Sequence, residues 1–248
     1  KALKLNADFT EAHSNMGLAL AKRGDLDAAI DSYRRALKIN PDYADAFNNM
    51  GLALKEKGNL DAAIASYNKA LKLNADFTEA HSNMGLALAK RGDLDAAIDS
   101  YRRALKINPD YADAFNNMGI ALAERGDIET SILSYNQAIK INPALTEAYY
   151  NMGNTLTKRG DLDAALDSYR RALKINPEYV DALNNMGIAL AKRGDLDAAL
   201  DSYRRALKIN PDYADALNNM GLALAKRGDL DAALDSYRRV LKINPDYA

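Results

Sequence analysis

The chain has no cysteine among its 248 residues. Disulfides, thiolate metal sites and thiol nucleophiles are thereby excluded. It has little net charge: 33 basic residues against 34 acidic ones leave −1. A nucleic-acid binder needs a basic surplus to displace counterions, and attraction to an anionic membrane needs the same. No apolar run is long enough to cross a bilayer. No signal peptide is visible from Lys1 onward. The compartment stays open, because a cysteine-free chain suits both cytosol and periplasm; the cytoplasm is the favoured reading.

What the chain does have is a strict period. One set of seven glycines runs Gly17, Gly51, Gly85, Gly119, Gly153, Gly187 and Gly221, and a second set runs from Gly24 to Gly228, each spaced by 34 residues. The seven methionines fall on the same period, and all six prolines share one column in which Ala7 and Ala75 replace proline. An uninterrupted period in this range marks a solenoid, in which each unit packs on its neighbours.

Spacing within a unit predicts two helices. In Ala44–Phe77, Ala46, Met50, Ala53 and Leu54 form one apolar stripe, and Leu60, Ala63, Ile64, Tyr67, Ala70 and Leu71 form another. Gly58 suits a left-handed helix end. Asn59, or Asp25 and its equivalents, stands at an N-cap position. Asn40-Pro41 closes the second helix, and Asp42 with Asp45 is expected to cap the next one. Asp31 and Arg35 are an i,i+4 pair in the favoured order. Gly17 and its column lie inside a helix at a cost of about 1 kcal/mol each. Close approach of the second helix, with the tyrosine column from Tyr33 to Tyr237 beside it, is the expected reason.

These residues resemble the tetratricopeptide repeat family: a small Gly17, then Leu20, Ala29, Tyr33, Ala36 and a closing Pro41 in one unit. Departures are few. Met16 stands where leucine is commoner; His13, Phe47, Tyr149 and Leu183 fill a column often held by tryptophan; Ser131 replaces an alanine. The resemblance implies an all-α, right-handed superhelical solenoid of antiparallel helix pairs. It also implies a concave face lined by first helices, where such proteins bind peptides. The expected layout is a tail of a preceding repeat at 1–9 and seven units at 10–43, 44–77, 78–111, 112–145, 146–179, 180–213 and 214–247, with a further repeat starting at 248. Lys1 to Gly51 recurs letter for letter as Lys69 to Gly119, the mark of a duplicated two-unit block. Neither end carries a polar cap, so a segment of a longer array and end-to-end self-association are expected.

The candidate binding face follows from spacing. Glu11, Asn15, Leu18 and Lys22 form one stripe of a first helix. Asn15 recurs in every unit as Asn49, Asn83, Asn117, Asn151, Asn185 and Asn219. An amide carries donors and an acceptor, so it can pair with the backbone of an extended peptide of any sequence. This ladder resembles the superhelix of O-linked N-acetylglucosamine transferases, where such asparagines hold substrate backbone. The alternative is that each amide bonds a neighbouring helix or faces water. One unit diverges, placing Tyr150, Asn154 and Thr157 on the same stripe as a candidate anchor; drift in an unduplicated unit is the bland alternative. Leu18, Leu52, Leu86, Ile120, Ile188 and Leu222 add an apolar line, either open to a partner or buried between first helices.

No enzyme is expected in this segment, nor any metal or cofactor. His13 and His81 are duplicates without nearby metal-ligand partners, and every glycine belongs to the two columns, leaving no phosphate loop. The leading reading is a protein- or peptide-binding scaffold. A substrate-recognition arm of a larger glycosyltransferase-type enzyme and a self-assembling filament are the alternatives.

Overall fold

A computed structural model describes residues 2–245, with side-chain detail from Phe9 onward. All fourteen regular elements among the described residues are α-helices. They are α1 (Ala2–Lys22), α2 (Leu26–Ile39), α3 (Ala44–Glu56), α4 (Leu60–Leu73), α5 (Thr78–Arg91), α6 (Leu94–Ile107), α7 (Ala112–Arg125), α8 (Ile128–Ile141), α9 (Thr146–Arg159), α10 (Leu162–Ile175), α11 (Val180–Arg193), α12 (Leu196–Ile209), α13 (Ala214–Arg227) and α14 (Leu230–Ile243). The chain divides into two compact units, Lys1–Gly126 and Asp127–Ala248.

In the first unit α1–α2, α3–α4 and α5–α6 are antiparallel hairpins, and each second helix also packs on the next first helix. First helices touch in the order α1, α3, α5, α7. The second unit repeats the plan with hairpins α9–α10, α11–α12 and α13–α14, and with first helices in the order α9, α11, α13. Each unit has its own continuous core. Tyr33, Tyr67, Tyr101, Ile98 and Leu122 anchor one; Tyr169, Tyr203, Leu166, Leu183 and Leu200 anchor the other.

The glycine–tyrosine expectation holds. A Cβ built on Gly17 would lie 2.6 Å from Tyr33 Cε1, and one on Gly187 would lie 2.5 Å from Tyr203 Cε1. The helical glycine is therefore the seat of the tyrosine ring, which explains why its propensity cost is tolerated. Glycines of the second set close the first helices at positive φ, from +81° at Gly58 to +100° at Gly126, a conformation costly for other residues.

Four local expectations change. Asp25 and its equivalents sit at the N-caps of α2, α6, α8, α10, α12 and α14, but none makes a side-chain cap hydrogen bond. Where an arginine two residues earlier pairs with it, as in Arg23–Asp25 and Arg193–Asp195, the carboxylate turns to that charge instead. Asn59, which is uncharged, does accept from the Ala62 N–H at 3.3 Å. Asp42 does not cap α3: the N-cap is Tyr43, and the Asp42 N–H donates to Asn40 Oδ1 at 3.0 Å. Asp31 pairs with Arg34 at i+3 rather than Arg35.

The fourth change is larger. Residues 2–9, expected as the tail of a preceding repeat, form one helix with the residues that follow in α1, with no turn at Asn6-Ala7. The same letters at 70–77 break: Asn74 is an extended C-cap of α4 at φ −138°. Alanine in place of proline permits either outcome. Around Asn74, α4 is held by α3 and α5 is held by α6, and those contacts force the turn. Lys1 and the expected start of a further repeat at Ala248 lie outside the described residues.

Candidate peptide-binding face

Asn15 is exposed, and Asn49, Asn83, Asn117, Asn151, Asn185 and Asn219 are half-buried on the first helices. Their side chains follow a rule set by the residue one position before the ladder in the preceding repeat. Asn83 Nδ2 donates to Asn48 Oδ1 at 3.0 Å, and Asn219 Nδ2 donates to Asn184 Oδ1 at 3.0 Å. Asn185 Nδ2 donates to Tyr150 OH at 3.1 Å and to Asn154 Oδ1 at 2.9 Å. Where the preceding residue is the short Ser14 or Ser82, no such bond forms among the described residues, and the Asn49 and Asn117 amides keep their donors. Sequence reasoning missed this second column, although Asn48, Asn116, Asn184 and Asn218 stand on the repeat period.

The divergent unit is a closed hydrogen-bond network. Tyr169 OH donates to Asn154 Oδ1 at 2.8 Å and lies 3.2 Å from Thr157 Oγ1, which in turn donates to the Gly153 carbonyl at 2.8 Å. The Tyr150 ring stands 4.9 Å from that of Tyr179 and 6.4 Å from that of Tyr169. Tyr150, Asn154 and Thr157 are thus brought together, and their polar groups are largely spent on one another. Burial pushes the Tyr169 phenol well above its ordinary pKa, and burial with the neighbouring Tyr150 raises Tyr179 to about 12. Tyr67 is raised by burial too, yet its hydroxyl has no partner.

The apolar line is divided. Leu52, Leu86, Ile120 and Ile188 are half-buried, whereas Leu18 is 39% and Leu222 56% exposed. Small recesses lie along the line. One of 240 Å³ is bordered by Ile188, Asn219 and Leu222, and one of 290 Å³ by Asn154, Asn185 and Ile188. A third, of 130 Å³, is bordered by Leu86, Asn117 and Ile120. Each pairs a ladder asparagine with apolar side chains.

His81 is buried and its Nε2 donates to the Ala75 carbonyl at 2.9 Å, a packing role. Among the described residues no group of three or more His, Asp or Glu is placed to hold a metal ion, and no helix is long and apolar enough to cross a membrane.

Stacked helix pairs, with first helices side by side and polar amides between apolar recesses, define an α-solenoid scaffold. A family model described as TPR repeat matches residues 17–58, 51–92, 85–124 and 119–158, and one described as tetratricopeptide repeat matches 150–214 and 184–248. The chain belongs to the tetratricopeptide repeat family. It is a repeat array with no catalytic domain evident, of a kind that typically mediates protein–protein or peptide interaction.

Solved structures agree. MamA is 26% identical with a TM-score of 0.61, the match covering 65% of this chain and 95% of MamA. YrrB, described as a TPR protein with an unusual peptide-binding site, is 26% identical with a TM-score of 0.59 over 75% of this chain and 95% of YrrB. A tetratricopeptide repeat protein from Parabacteroides merdae is 15% identical with a TM-score of 0.75 over 96% of this chain and 94% of its own, a likeness of fold alone. No curated protein matches the chain in sequence.

Proposed function

We propose that the first-helix face holds an extended polypeptide, with the ladder asparagines contacting its backbone and the recesses taking its side chains. The observation that carries this reading is the state of the amides. Asn83 and Asn219 each show one hydrogen bond, from Nδ2, leaving the carbonyl oxygen and a second N–H for a guest. Asn49 is free. A bond from the previous helix fixes the amide plane before binding, which lowers the ordering cost of recognition. Packed helices stand roughly 8–10 Å apart, so one amide meets about every third residue of an extended chain. The likeness to YrrB supports the same use of the fold. Tyr150, Asn154 and Thr157 enter this reading as the floor of a recess.

The test uses fluorescein-labelled peptides of about twelve residues, long enough to cross several helices: one rich in Asp and Ala, one in Ser and Ala, one in Lys and Ala. At least one binds in fluorescence anisotropy, and N49A/N83A/N117A/N219A weakens it about tenfold or more with helicity kept; Asn185 is left in place, because its amide is fully used by Tyr150, Asn154 and Asn184. Absence of binding by all three, or an unchanged affinity in the variant, overturns the reading.

A second reading has its own observation. On α14, Leu230 is 63% and Leu234 50% exposed, whereas on α12 the equivalent Leu196 is half-buried and Leu200 fully buried. Such an apolar stripe suits a stacked helix pair, and a second copy of this chain presents helix pairs of that kind. Light-scattering mass that rises with concentration, and stays flat in L230E/L234E, is the expected result.

A further inference from the structure

Resting on the peptide-binding reading, we propose that the first-helix face of the unit Asp127–Ala248 selects an acidic extended segment, and that the face of Lys1–Gly126 lacks this preference. The observation is one column on the repeat period. It reads Lys22, Glu56, Lys90 and Glu124 in the first unit, but Lys158, Lys192 and Lys226 in the second. These lysines border the recesses: Lys158 and Lys192 flank the one of 290 Å³, and Lys192 and Lys226 flank the one of 240 Å³. No acidic side chain lines either recess. The corresponding recess of the first unit is lined by Lys90 and Glu124, one charge of each sign.

The lysine charges are uncommitted. Each is followed by an arginine already engaged by two carboxylates: Arg159 by Glu129 and Asp161, Arg193 by Asp163 and Asp195, Arg227 by Asp197 and Asp229. Lys158 and Lys192 have no ion pair among the described residues, and Lys226 Nζ only approaches the Ala191 carbonyl, at 3.5 Å. The nearest acids on the same stripe, Glu147, Asp181 and Asp215, stand eleven residues earlier on their helices. At 1.5 Å per residue that is about 16 Å along the axis, twice the Debye length of roughly 8 Å at physiological ionic strength. Asp181 also accepts from Tyr213 OH at 2.6 Å. A guest lying along the lysine row therefore experiences a cationic edge beside the recesses and the Asn219 amide, which keeps its carbonyl oxygen and one N–H. An extended segment that alternates carboxylates with small apolar side chains complements all three.

The three labelled peptides decide the point, measured at low and high salt on the whole chain. The acidic peptide binds about tenfold more tightly than the neutral one, and added salt narrows the gap. K158E/K192E/K226E reverses the order in favour of the basic peptide, whereas the charge-matched K174E/K208E/K242E, on exposed lysines of the second helices, leaves the acidic peptide's affinity within about twofold. Equal affinity for acidic and neutral peptides, both weakened by loss of the ladder asparagines, overturns the charge preference and leaves the peptide groove standing. Failure of every peptide overturns both. A single-stranded oligonucleotide of matched charge that competes as well as the acidic peptide overturns the assignment to a polypeptide.

Discussion

The hairpins α3–α4 and α9–α10 are built on the same joint and finish it differently. In both, a glycine inside the first helix seats a tyrosine of the second, with Gly51 under Tyr67 and Gly153 under Tyr169. In α3–α4 the tyrosine hydroxyl is buried without a partner. In α9–α10 the divergent residues Asn154 and Thr157 meet it, and Asn154 extends the network to Asn185 of the next repeat. Residues that look like a recognition patch in the sequence thus also complete a core. The joint tolerates an orphan hydroxyl because ring burial supplies most of its stability; a partner adds the smaller hydrogen-bond increment.

Three substitution pairs break or sharpen this comparison. The largest effect is shared. In G51A and G153A the new methyl meets a ring at 2.5 and 2.6 Å, and overpacking of about 1–3 kcal/mol outweighs the gain in helix propensity. Amide hydrogen exchange in α4 and α10 reads this locally, which suits an array that need not unfold as one body. Equal losses in both hairpins are expected; a loss in one alone breaks the common joint. Next, Y169F costs about 1 kcal/mol, because Asn154 and Thr157 lose the phenol between them. Y67F stays within about 0.5 kcal/mol, since the hydroxyl it removes bonds nothing. Comparable losses would remove the distinction drawn between the two sites.

The joint itself is legible in the sequence. A glycine that recurs inside a helix demands a neighbour, and the tyrosine column answers it at the same period. The second glycine column was legible for an equally local reason, its need for positive φ. What the sequence did not disclose depends on distance between groups far apart in the chain. Asn83 and Asn48, or Asn185 and Tyr150, are 35 residues apart. Whether one amide reaches the other turns on the length of the side chain in the previous repeat. Ala2–Phe9 and Ala70–Phe77 make the same point for the backbone. The letters are identical, and only the packed helices around Asn74 convert a permissive alanine into a turn. The carboxylate caps failed for an electrostatic reason: Asp161 stands at the N-cap of α10, but Arg159 outbids the backbone N–H groups.

That competition gives the smallest of the three effects and separates the two hairpins at their turns. Asn59 caps α4 through the Ala62 N–H, so N59A leaves that donor to water and costs about 0.5–1 kcal/mol. D161A removes no cap bond. Arg159 keeps Glu129, and the exposed Arg159–Asp161 pair contributes little, and less still at high salt. Exchange rates of the first-turn amides should therefore rise in α4 of N59A and stay near wild type in α10 of D161A, with a salt dependence in the second variant alone. Faster exchange in α10 of D161A that persists at high salt would mean the carboxylate caps the helix after all, and the arginine pairing would lose its place in the account of these turns.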